Sequence, residues 1–429
     1  MTSVMACATA SSSGRAVCEA EVWPLMTSDL MMRFVSLIGL GTMLLLALML
    51  SENRKAIKPR VVWWALGLQL ILAFLVLKTR PGEWLFTGAE KAFAAFVSFS
   101  NEGASFVFGK LAWDPSFGAL IAFSALPIII FASAVAGVLY YLRITQTVVK
   151  AMAWVMQKTM RISGAEALAA ALFVFLGIEV VPTIDKYIRR MTRSEMFVVM
   201  TAFMATIAVS VMMIYSTFGA SPGHLLTASL MSAPAAICMA KMMIPETGTP
   251  VTAGTVQFEP EITSANIIDA AADGASQGVK LAINVGAVLI AFVGLVALVN
   301  FVLRMCTGLT LPQLFGFGFS PFALVMGVSP EDALNVGQLL GTKTVFNEFL
   351  AYRDLQAMIL NHHLSDRSVV IATYALCGFA NFGSMAILIG GIAGVTPERR
   401  GEVAALGFKA LISGTLAAFM TACFAGILI

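Results

Sequence analysis

Charge is what this sequence has least of. Only 12% of its 429 residues are charged, while 59% are hydrophobic; an ordinary soluble domain carries roughly 25% charged residues. So few charges cannot cover a water-facing surface. The small net charge of +3, with no basic patch interleaved with aromatics, excludes nucleic acid as a partner. No phosphate loop ending in Gly-Lys-Ser/Thr occurs, which argues against direct energising by ATP, and no nucleophile–base pattern marks an enzyme. The six cysteines, Cys7, Cys18, Cys238, Cys306, Cys377 and Cys423, lack Cys-x-x-Cys spacing and mostly sit in apolar runs. They read as small core residues, forming neither disulfides nor a metal site, and no organic cofactor is expected. Residues 1–28 lack the apolar centre of a cleaved signal peptide. With the few residues up to 33 they read as a disordered polar tail, or as a translational start placed too early.

What is present in abundance is long apolar runs. A ~30 Å hydrocarbon core needs about 18 or more nearly uncharged residues in a helix. Phe34–Leu50, Val61–Leu77, Phe117–Leu142, Met196–Phe218, Leu225–Ile244, Leu281–Leu303, Val369–Val395 and Val403–Ile429 satisfy this. The expectation is an all-α polytopic protein of the lipid bilayer with about eight spans by that length criterion. The loop Ser51–Arg60 carries Arg54, Lys55, Lys58 and Arg60, whereas the segment before the first span mixes both signs. The positive-inside rule then makes that loop cytoplasmic and the N-terminus external, periplasmic in a bacterial inner membrane.

Two stretches, Gly82–Lys110 and Arg143–Arg161, are too polar to span and too apolar for plain loops, and read as interfacial helices. The acidic, turn-rich segment 245–280 reads as a linker between halves. Each half holds a matching interrupted stretch. Gly164–Tyr187 is broken by Gly177, Glu179 and Pro182 and restarts at Thr192, whose spacing to Glu195 is that of a capping box. Val336–Tyr352 carries Lys343, Asn347 and Glu348, and restarts around Ser365. Paired interruptions suggest inverted repeats with two re-entrant hairpins meeting near the midplane, where secondary transporters place their substrate. The chain divides accordingly into 34–162, 163–244, the linker, 281–320 and 321–429.

Glu348, beside Asn347 in apolar surroundings, is the foremost site candidate, because an ionisable residue at membrane depth is functional by default. A structural pairing with Lys343 is the alternative. The run Cys377–Ser384 interrupts a span with two glycines, Asn381 and Ser384. The break frees carbonyls, Asn381 both donates and accepts, and Phe379 or Phe382 could stack on a ring. Such a set suits a neutral, hydroxyl-rich ligand; close helix packing at Gly378 and Gly383 is the competing explanation. Glu179 is the counterpart of Glu348 in the first half, with pairing to Lys186 or Arg189 nearly as plausible as a ligand role. His224, His362 and His363 fall at segment ends or loops and read as interfacial.

The motifs Gly341-Thr342-Lys343, Asn347–Tyr352, Ala375–Ser384, Trp154–Met160, Met191–Glu195, Ala228–Ala235 and Pro397–Arg400 together resemble the concentrative nucleoside transporter family, over nearly the whole chain from Ser51. The resemblance implies a homotrimer whose protomers pair a scaffold domain with a mobile transport domain that moves by an elevator-like displacement. It implies that Glu348, Asn381 and Ser384 bind the ribose of a nucleoside, with Phe379 beside the base.

The first hairpin departs from the family pattern. Where that pattern has a sodium-ligating Asn this chain has Phe173; the base-reading Gln and Thr become Ile178 and Glu179, and a ribose-binding Glu becomes Val180. Downstream, Ala202–Ser210 has lost three glycines of the family motif but keeps its final serine, so Ser210 joins Glu179 and Glu348 as a candidate for ion coupling. Phenyl cannot replace a hard oxygen ligand, so the expected coupling cation is the proton in preference to sodium. The readings that compete with nucleoside symport are transport of a related hydroxylated heterocycle, and a divergent member acting as sensor or assembly component without transport.

Overall fold

The computed structural model describes residues 14–112, 114, 121–124, 126–252 and 264–429, with side chains from Asp29 onward apart from residues 121, 124, 288, 289 and 292. Among the described residues all regular structure is helical. Helix α1 (Gly14–Met49) starts inside the segment expected to be a tail. Its turn at Asp29 is docked: Asp29 pairs with Arg33 at 3.0 Å and Arg367 at 3.4 Å, and Arg33 donates to the Ile429 carbonyl at 2.7 Å. The first 13 residues, Cys7 among them, lie outside the described residues.

Helix α2 (Pro59–Lys78) opens on a proline, whose fixed φ and missing N–H suit a first turn. Helix α3 (Arg80–Phe108) is capped by Thr79, and its exposed Trp84 and Phe106 fit the expected interfacial element. Helices α4 (Ile121–Ser124) and α5 (Leu126–Tyr141) follow, and α6 (Ile144–Met160) turns away from α5 by 74°. The start of the expected run at Phe117 lies outside the described residues.

The first interrupted stretch becomes α7 (Gly164–Phe173), a break, and the short helices α8 (Val180–Thr183) and α9 (Asp185–Ile188). The Thr192/Glu195 capping box forms and starts α10 (Arg193–Ala205), which breaks at residues 206–208 before α11 (Val209–Thr217). Helix α12 (Pro222–Met243) closes the first half. The linker is shorter than its expected end at 280, because the Asn266 side chain accepts from the Asp269 N–H and nucleates α13 (Ile267–Thr307) there; residues 253–263 of that linker lie outside the described residues.

Helix α14 (Leu311–Val325) bends 82° from the end of α13. The second half then repeats the first in order: α15 (Ala333–Val345), a break, α16 (Glu348–Leu360), α17 (Asp366–Leu376) capped by Ser365, a break at 377–381, α18 (Phe382–Val395), and finally α19 (Arg400–Leu428). Among the described residues five helical segments are long and apolar enough to cross a membrane, or up to seven where each of two bent pairs counts as one span. Val369–Val395, the seventh of the eight expected runs, is not among them; it is split into the shorter helices α17 and α18. Cys306 is exposed, against the expectation of a core position, whereas Cys238, Cys377 and Cys423 are buried.

The segment from α10 through α11, α12 and α19 form the buried centre, with 78%, 89% and 78% of their apolar windows covered; α1 and α2 are covered over only 22% and 28%. Helix α13 likewise exposes Ile290, Phe301 and Met305. Exposed apolar side chains of this size on outer helices are what lipid contact requires.

At one end of the bundle Glu52, in the basic loop, joins two core helices: it pairs with Arg193 at 2.9 Å and Lys409 at 2.6 Å. The hydrogen bond from Arg193 holds its carboxyl below the usual 4.5, burial opposes this, and Lys409 adds to the lowering. A carboxylate with a depressed folded pKa stabilises above its unfolded value and ceases to as pH falls through the folded one. Glu52→Gln should therefore lower the melting temperature at pH 7, and the difference from the unaltered protein should shrink below pH 4.5. A difference independent of pH would mean that the ion pairs contribute nothing.

Candidate functional site

The two helix breaks of α10/α11 and α17/α18 meet. Gly378 has φ +135°, and a Cβ there would stand 2.8 Å from the Met204 carbonyl oxygen and 2.9 Å from that of Ala205. The backbone of one break thus rests on the end of the other helix. Close packing, one of the two explanations open for Gly378, is realised. Gly378→Ala adds both a forbidden φ, which costs about 1–3 kcal/mol, and that clash. The melting temperature should fall by several degrees and uptake with it; an unchanged melt would show that the two breaks are not locked together.

Asn347 and Asn381 occupy equivalent places. Each has extended backbone, each precedes a helix, and each side-chain Oδ1 accepts from the N–H three residues on, Leu350 at 2.9 Å and Ser384 at 2.7 Å. The cap fixes which end of the amide is oxygen, so Nδ2 of Asn381 points the other way and donates to Glu348 Oε2 at 2.8 Å. Glu348 is the first residue of α16, where the positive end of the helix dipole favours an anion. Its other oxygen accepts from the Tyr215 hydroxyl at 2.8 Å. Only 6% of Glu348 and 1% of Asn381 are exposed.

Lys343 is not the partner of Glu348. Its ammonium, 1% exposed, donates to the Ala375 carbonyl at 2.9 Å, near the C-terminal end of α17, where a cation complements the dipole. No ion pair joins the two among the described residues. Sequence reasoning overlooked Tyr215 and Tyr352, whose rings stack with centroids 4.5 Å apart, the latter donating to the Thr373 carbonyl at 2.8 Å. The available signal was two phenols in otherwise apolar stretches, since a buried phenol needs a partner for its hydroxyl.

Phe379 packs on Phe203, centroids 5.5 Å apart, and Phe203 on Phe173 at 5.6 Å. Phe382, the other aromatic considered for stacking, is 42% exposed. In the first hairpin Phe173 is 1% exposed and Val180 fully buried, whereas Glu179 is exposed. Ile178 seats against α18, its Cδ1 only 2.9 Å from where a Cβ of residue 391 would stand. Arg189 turns to Glu398 and the Val395 carbonyl. Ser210 lies half-buried in the first turn of α11. His224, in the first turn of α12, packs edge-on against Phe86 and lies 3.4 Å from the Tyr374 hydroxyl.

A carboxylate with four lone-pair directions, two of them used, beside an amide with one N–H still free forms a site for neutral hydroxyl groups. Two broken helices and two hairpins converging on it define a membrane protein of the secondary-transporter class.

Family models agree. "Na+ dependent nucleoside transporter C-terminus" matches residues 224–426, its N-terminal counterpart 38–111, and "Nucleoside recognition" 122–222. An uncharacterised transporter of Haemophilus influenzae is 42% identical over 414 residues, covering 92% of this chain and 97% of that protein. Mouse solute carrier family 28 member 3 is 40% identical over 415 residues, covering 92% of this chain; the chain spans 58% of that relative's length. The solved structure of CNTnw in an inward-facing substrate-bound state superposes with a TM-score of 0.88 at 38% identity, covering 93% of this chain and 98% of that one. An outward-facing CNTnw double variant gives 0.86 at 37%, covering 93% and 98%. The chain belongs to the concentrative nucleoside transporter family.

Proposed function

We propose that this protein imports nucleosides across the inner (plasma) membrane by elevator-type alternating access, as a homotrimer with its N-terminus periplasmic, in symport with protons. The observation that carries the reading is the Tyr215–Glu348–Asn381 constellation: a buried carboxylate held by two neutral donors and, among the described residues, paired with no cation, with Ser384 one turn of helix beyond Asn381. A ribose offers adjacent hydroxyls that donate to Glu348 and accept from Asn381 and Ser384, and Phe379 provides an apolar face for the base. Asn347, as the cap of α16, sets the direction of Glu348.

The side chains present do not fit a sodium ion at the hairpin. Where the family pattern has an oxygen ligand, Phe173 is packed against Phe203, and a phenyl ring supplies no hard donor. Glu179, exposed at the hairpin break, and Glu348 are the groups able to carry a proton, with Ser210 beside the other break. One observation favours a related hydroxylated heterocycle over ordinary nucleosides: where the family pattern has a base-reading amide, Ile178 supplies none and packs against α18.

Uptake of labelled uridine and adenosine into proteoliposomes, under a sodium gradient, a proton gradient or neither, tests this reading. Accumulation driven by protons alone is the expected result. Sodium dependence would refute the proton assignment, and no uptake under any gradient would refute nucleoside transport.

A further inference from the structure

A cavity of about 530 Å³ lies away from Glu348 at the end of the bundle that carries the basic loop. Its walls come from the start of α2, the end of α6, the start of α7 and the segment after α12. The rim holds Lys58, Lys158 and Arg161, all exposed. Among the described residues Lys58 and Arg161 make no ion pair, and Lys158 lies over the Trp154 ring at 4.8 Å. Arg161 adopts the left-handed conformation (φ 53°) as the C-cap of α6.

The floor is differently built. Lys241, 7% exposed, pairs with Glu166 at 2.6 Å and Glu246 at 3.2 Å and donates to Ser194 at 3.1 Å. The amide Nε2 of Gln157, on the wall, is buried and has no hydrogen-bond partner among the described residues. Four cations thus line the cavity against two carboxylates, and those two are already neutralised in part by the innermost lysine.

We propose that this cavity binds a phosphate group bearing neighbouring hydroxyls, the chemistry of a phosphoglycerol headgroup. The rim cations and Gln157 donate to the phosphate oxygens, as charge-assisted bonds to an anion require, and the carboxylates of the floor accept from the hydroxyls. Helix α6 leaves Trp154 exposed at the cavity and Ile144 and Val148 exposed farther along its length, apolar surface on which an acyl chain can lie. Basic pockets between membrane helices on the positively charged side are suited to anionic headgroups. A bound headgroup would bridge α2 and α6 to the first hairpin.

Purified protein in neutral detergent, titrated with short-chain phosphatidylglycerol, short-chain phosphatidylcholine, glycerol phosphate or inorganic phosphate while its melting temperature is followed, tests the proposal. Phosphatidylglycerol should give a saturable rise that phosphatidylcholine does not. In Lys58→Gln/Lys158→Gln/Arg161→Gln the half-saturating concentration should increase about tenfold or more, as loss of even one charge-assisted bond implies. The control Lys91→Gln/Lys110→Gln/Arg304→Gln, which removes the same charge elsewhere, should behave like the unaltered protein. These are exposed positions, so size-exclusion profiles should match across variants. Saturation by phosphatidylglycerol alone identifies the ligand as lipid; equal saturation by glycerol phosphate or phosphate identifies a soluble one. No saturable rise with any of them, retention of the rise in the first variant, or its equal loss in the control overturns the site.

Discussion

Glu348→Gln is expected to reduce uptake to the level of empty liposomes while leaving a folded protein. Both carboxylate oxygens accept hydrogen bonds now. A glutamine keeps one acceptor and turns an NH₂ donor toward either the Tyr215 hydroxyl or the Asn381 amide. Tyr215 can rotate its hydroxyl, but Asn381 is held by its cap on Ser384 and cannot reverse without uncapping α18. Hydrogen bonds to a charged group contribute about 1.5–3 kcal/mol each. Two ligand hydroxyls therefore lose about 3–6 kcal/mol, on the order of 10²- to 10⁴-fold in affinity. The side-chain volume is unchanged, so the purified variant should keep its size-exclusion profile. Uptake like that of the unaltered protein would remove Glu348 from the site.

The second large effect is expected at Phe173. Its ring is 1% exposed and forms one end of the row Phe173–Phe203–Phe379, which runs from the first hairpin to the break between α17 and α18. Phe173→Ala leaves a cavity there, and large-to-small changes of this kind cost about 3–5 kcal/mol. The hairpin should loosen from α10, visible as a lower melting temperature and faster proteolysis near residues 174–179. A ligand that binds only the folded state raises its stability by mass action. Exchanging choline for sodium at constant ionic strength should therefore leave the melting temperature of the unaltered protein where it was and should not rescue the variant. A sodium-dependent rise would show that oxygen ligands from elsewhere assemble a site in spite of the phenyl ring.

The positions of the breaks were legible in the sequence because they are local. Gly177 lies in the break after α7, although Pro182 falls inside the short α8; Asn347 and Asn381 begin two other helices, and the Thr192/Glu195 spacing forms the capping box it spells out. Where the sequence reading differed from the structure, the cause was either a local cap that it passed over, as Asn266 at the end of the linker, or a neighbour far along the chain. The tail expected up to residue 33 is helical from Gly14, and its turn at Asp29 meets Arg367, 338 residues away.

By itself, then, the sequence determined that the chain lives in a bilayer, where its helices break, and which carboxylate and amide lie at two of the breaks, since hydrocarbon thickness and capping geometry act over a few turns of chain. Only the tertiary structure decided what those groups do to one another. Tyr215 and Glu348 are separated by 133 residues and Asn381 and Glu348 by 33, and Lys343 reached a helix-end carbonyl instead of the nearby carboxylate. A buried donor must find an acceptor, but which one it finds depends on how the helices pack, and no spacing within one segment records that.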